Sequence, residues 1–147
     1  MKDSLYTALA LTAGIAVPIM AALNASLGVR MGSPFAAAAV LSFVALLACA
    51  VAYVISGGAP GGLRWPGANF GYAAGLLFTV YIASITFLAP RIGVANAVFL
   101  VLLGQLISSA IIDHFALFGA PQVPVTARRI VGILVMVVGI VLARKPL

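Results

Sequence analysis

Charge punctuates this chain, and the uncharged apolar runs between the charges are its predicted elements. Lys, Arg and Asp occupy positions 2, 3, 30, 64, 91, 113, 128, 129, 144 and 145, and Glu is absent. The runs at 4–29, 35–56, 68–90 and 92–112 each reach the ~20 residues a helix needs to cross a hydrocarbon core. A fifth run, 130–143, covers only about 21 Å of a ~30 Å core at 1.5 Å per residue. Snorkelling by Arg128, Arg129, Arg144 and Lys145, or local bilayer thinning, would carry it across as a span of 127–144. The expected fold class is an all-α membrane protein, a five-transmembrane-helix unit forming one domain over 1–147.

The connectors agree. Arg30-Met31-Gly32-Ser33-Pro34 and Arg91-Ile92-Gly93 are tight turns, and both fall on one side of the membrane. GGAPGGLRWPG at 57–67 and DHFALFGAPQVPVTARR at 113–129 are longer and held irregular by Gly and Pro. Trp65 and Phe115 suit an interfacial aromatic belt.

The positive-inside rule converts the cations into an orientation. With five spans, Lys2, Arg64, Arg128 and Arg129 lie on one face and Arg30, Arg91, Arg144 and Lys145 on the other. A balanced count predicts insertion both ways and pairing of a protomer with an inverted copy. Without a fifth crossing the C-terminal pair changes face, the balance is lost and orientation is fixed. Chance balance in so few charges is the plain alternative.

Composition narrows the class. Mean hydropathy is +1.27 and 7% of residues are charged, against roughly a quarter in soluble domains. The net charge of +6 is scattered at span ends as headgroup anchors, so a nucleic-acid partner is not expected. Cys49 is the only cysteine; it excludes a disulfide framework and reads as a small buried hydrophobe. The first run is too long for a signal peptide and contains Pro18, which predicts a kink. The Asn24-Ala25-Ser26 sequon lies inside a span, out of reach of glycosylation.

Candidate chemistry is confined to a few polar groups. Gln105 is three residues past the centre of its run, about 4.5 Å from the midplane, and Ser108 and Ser109 extend the same helix face. Such a stripe either glues helices together or contacts a solute in the bundle interior. Asn24 and Tyr81 join Gln105, Ser108 and Ser109 as substrate-path candidates. Gly14, Pro18, Ala22 and Ser26 form a small-residue seam, and Tyr72, Thr79 and Thr86 recur at sevens. At the interface, Asp113 and His114 form either an ion pair with Arg128 or Arg129 or a proton relay. One Asp and one His make no metal site, and no cofactor is expected. No carboxylate lies inside a span, which disfavours a cationic substrate. No nucleophile, base and orienter gather in the spans, so an enzyme is not expected.

The stretches LNASLGVRMGSP at 23–34, APRIGVA at 89–95 and LLGQLISSAIIDHFALFG at 102–119, followed by ARRIVGILVMVVGIVL, resemble the YdcZ-type family, a bacterial group of the drug/metabolite transporter superfamily. The resemblance implies a five-helix inner-membrane unit that pairs with an inverted copy, or with a homologous partner, into a ten-helix bundle. It places Asn24, Gln105 and Asp113 on characteristic positions. Met20 departs where the family pattern has glutamine, which makes that pocket less polar. The resulting expectation is a transporter half-unit for a neutral or anionic small molecule, working by alternating access. A non-transporting assembly or accessory subunit is the alternative.

Overall fold

The computed structural model describes residues 2–59, 61–62, 67 and 70–143, without the side chains of Lys2 and Asp3. Arg64, Trp65, Arg144 and Lys145, used in the charge count and the aromatic belt, lie outside the described residues. Those residues form five α-helices and two 3₁₀ turns, with no strand among them. The helices are α1 Lys2–Met31, α2 Pro34–Ile55, α3 Ala73–Ile92, α4 Val94–Phe115 and α5 Ala127–Ala143. Four apolar segments, Ser4–Met31, Pro34–Ile55, Phe70–Ile92 and Val94–Phe115, are long enough to cross a membrane. At 17 residues, α5 covers about 25 Å: residues 127–129 join its first turn, yet it stays short of a full core.

The chain divides into two compact units, Met1–Arg91 and Ile92–Leu147. In the first, α1 continues through Pro18 as one helix and stops because Gly32 adopts φ 65°. Ser33 N then donates to Gly28 O at 3.1 Å and Gly32 N to Val29 O at 3.2 Å, the paired bonds of a Schellman stop. Ser33 also caps α2, its Oγ accepting from Ala36 N at 3.2 Å, and Pro34 supplies the missing-donor first position. Gly57 and Gly58 repeat the Schellman arrangement on Val54 O and Tyr53 O after α2.

A 3₁₀ turn, Phe70–Tyr72, leads into α3. Contrary to the expected stop at Pro90, α3 runs on to Ile92. Arg91 Nη1 takes up the late carbonyl of Phe87, so one acceptor left over at the helix end is satisfied. The core of this unit is thin: Ala38, Ile82 and Ala83 are buried, with Met20, Leu41 and Tyr81 packed against them. Cys49 is exposed, contrary to the expectation of burial. In a span the surrounding medium is hydrocarbon, and facing it costs a thiol little.

In the second unit, α4 and α5 are joined by the 3₁₀ turn Leu117–Gly119 and an extended stretch. Thr126 starts α5, its Oγ1 accepting from Arg129 N at 3.3 Å.

Candidate functional site

Polar side chains in a span must find partners or a polar cavity, and the candidates divide on that test. In the first unit Asn24 is 4% exposed and Thr86 2% exposed. Asn24 Nδ2 donates to Thr86 Oγ1, tying α1 to α3. The Thr86 hydroxyl in turn donates to Ile82 O at 2.7 Å. The approach is close enough that a Cβ on Gly28 would lie 2.7 Å from Thr86 Cγ2, so glycine at 28 is a packing requirement. Asn24 also walls a cavity of about 310 Å³ with Met20, Leu23, Leu27, Val40 and Leu41. Apart from Asn24 these are all apolar, and Met20 is one of them. Tyr81 is half-buried beside the Ile82–Ala83 core.

In the second unit the polar stripe resolves into closed and open members. Ser108 Oγ donates to Gln105 O at 3.2 Å and Ser109 Oγ to Leu106 O at 3.1 Å, so both hydroxyls return to their own helix. Gln105 sits at the middle of α4 and is exposed, and its side-chain amide makes no bond to any described residue. Asn96, buried at 8%, was not singled out from sequence; its Nδ2 donates to Ile92 O at 3.0 Å.

At the end of α4, Arg129 Nη2 donates to Asp113 Oδ2 at 2.7 Å, whereas Arg128 is exposed. His114 Nδ1 accepts from Val125 N at 3.1 Å, which places the proton of the neutral ring on Nε2. Val123 N donates to Asp113 O at 2.9 Å and Gln122 Nε2 to His114 O at 3.4 Å. Asp113 and His114 thus fasten the connector to the helix. Among the described residues no three of His, Cys, Asp and Glu group as metal ligands.

Sequence reasoning missed Thr86 as the partner of Asn24. Its signal was the spacing of sevens, which identifies a shared helix face but not the neighbour opposite it.

No curated protein and no solved structure matches the chain. The family model described as "Putative inner membrane exporter, YdcZ" matches residues 5–142. That match takes in α2 to α4 whole and nearly all of α1 and α5, including the Gln105 stripe and the Asp113–Arg129 clasp, and the chain belongs to the YdcZ inner-membrane exporter family.

Proposed function

We propose that the protein is one half of an inner-membrane, multi-pass exporter of the drug/metabolite transporter type. The other half is an inverted copy, or a homologous partner of opposite orientation. Family membership and four membrane-length helices support a membrane transporter. The observation that carries the finer reading is Gln105: a primary amide at mid-helix, exposed and without a side-chain partner among the described residues. Left in hydrocarbon, an amide without hydrogen bonds costs roughly 4–8 kcal/mol, so something polar covers it. An in-plane two-fold brings two copies of Gln105 to similar depth, where a solute can bridge them during alternating access. Asp113 lies at a span end and Asp3 near the start of α1, and no other acidic residue exists. The path is therefore suited to a neutral or anionic solute.

One observation favours the non-transporting alternative: Asn24 is engaged across helices with Thr86, as glue would be, while Ser108 and Ser109 bond only within α4. Gln105→Ala separates the two readings. Efflux from vesicles should fall by up to about tenfold, on the order of one lost neutral hydrogen bond, while crosslinked dimer persists. Loss of the dimer with the flux would assign Gln105 to assembly.

A further inference from the structure

The first unit contains a second cavity that the transport reading does not use. It measures about 350 Å³ and lies where α1, α2 and α3 meet at the short connector, lined by Gly28, Gly32, Pro34, Thr86, Phe87 and Arg91 among others. Most of its wall is apolar, but one side carries a fixed cation. The Arg91 guanidinium carbon stands 3.5 Å from the centroid of the Phe87 ring, and its Nη1 donates to Phe87 O. Those two anchors hold the planar fork in place and leave its other N–H groups for an acceptor.

Among the described residues no carboxylate supplies that acceptor. Among the described residues the one ion pair is Asp113–Arg129, in the other unit. The remaining acid, Asp3, is the second residue of α1, about 40 Å from Arg30 along the helix at 1.5 Å per residue. Arg30 adds a second cation in the last turn of α1. Pro34 opens α2 in the cavity wall, so the positive end of that helix dipole reaches the same space. Gly28 and Gly32 keep side chains out of it, and a methyl on Gly32 would meet nothing within 4 Å.

We propose that this cavity binds a phosphate ester, with Arg91 as the bidentate donor and the apolar wall against the ester's carbon skeleton. The helix ends place it at headgroup depth, where anionic phospholipid is the abundant phosphate; a soluble phosphate ester is the other source of the same chemistry.

The test uses the purified full chain in neutral detergent and follows thermal unfolding. The probes are phosphatidylglycerol against phosphatidylcholine in mixed micelles, and glycerol 3-phosphate alone. The wild type is expected to be stabilised by phosphatidylglycerol or by glycerol 3-phosphate. Arg91→Gln should weaken that apparent affinity by about tenfold or more, and Arg91→Lys should recover only part, having charge but no fork. Phe87→Leu keeps the charge and the apolar volume but removes the ring, and should also weaken binding. Arg128→Gln, which removes an exposed charge that does not line the cavity, should leave it intact. A shift with phosphatidylglycerol alone assigns the site to lipid, and a shift with glycerol 3-phosphate assigns it to soluble esters. No shift with either probe in the wild type, or an Arg91→Gln shift equal to the wild type's, overturns the proposal. The unliganded unfolding temperature of each variant separates lost binding from lost folding.

Discussion

Asn24, Thr86 and Gly28 make a joint in which each residue depends on the other two. Thr86→Val keeps the shape and removes the acceptor, leaving the Asn24 amide buried without it. Unpaired buried groups cost about 1–3 kcal/mol in general, but interhelical bonds in membrane proteins average about 0.6. A loss near 1 kcal/mol is expected, read by unfolding in dodecyl sulfate. Gly28→Ala should cost more, because the atom it meets at 2.7 Å is the Thr86 methyl. Thr86→Ser removes that methyl and keeps the hydroxyl, so the double variant Gly28→Ala/Thr86→Ser should regain most of the lost stability. If it does not, the close approach of α1 and α3 is not what fixes glycine at 28. The sequence made Asn24 legible as a polar group at depth. It did not reveal the partner, because Thr79, on the same spacing of sevens, is exposed and bonds to its own helix at Gly75 O. Burial of Thr86 comes from what packs opposite, and a single helix's periodicity does not encode that.

The connector after α4 is an element shaped against local preference. Ala116 at φ 51° and Phe118 at φ 57° occupy the left-handed region without being glycine, at about 1 kcal/mol or more each. The clasp from Asp113 and His114 holds them there. Ala116→Gly is expected to stabilise the protein by a few tenths to about 1 kcal/mol, with part of the relief lost to a freer unfolded chain. His114→Asn retains an acceptor for Val125 N and should leave the connector protected, whereas His114→Ala should expose residues 116–126 to limited proteolysis. Equal protection in both variants would remove His114 from the clasp. Gly and Pro announced an irregular connector from sequence alone. The clasp was harder to read, because two of its bonds join side chain or backbone of α4 to backbone N–H groups of Val123 and Val125, and all residues but proline own such groups.

For the whole molecule, the four long helices were legible because uncharged length is a direct measure of what a bilayer accepts. Orientation is less so, because it turns on α5, whose 17 residues fall between clear classes. A single thiol moved from Cys49 to Leu147 (Cys49→Ala with Leu147→Cys) and labelled with an impermeant reagent decides it. About half of the protein labelled from outside intact cells, and all after permeabilisation, is the expected result for an inverted pair. Labelling that is complete or nil from outside fixes one orientation and directs attention to a separate partner.

The two Schellman stops flanking α2 carry a consequence for synthesis. Every bond that closes the α1–α2 turn and ends α2 joins residues at most six apart, and α1 packs against α2 directly. Contacts this local form early, while a ribosome adding roughly 5–20 residues per second is still producing α3. The first 59 residues can therefore enter the translocation machinery as a preformed helical hairpin. Whichever way that hairpin turns, it biases the helices that follow, so α5 and the cations beside it, made last, act on a chain already leaning toward one face.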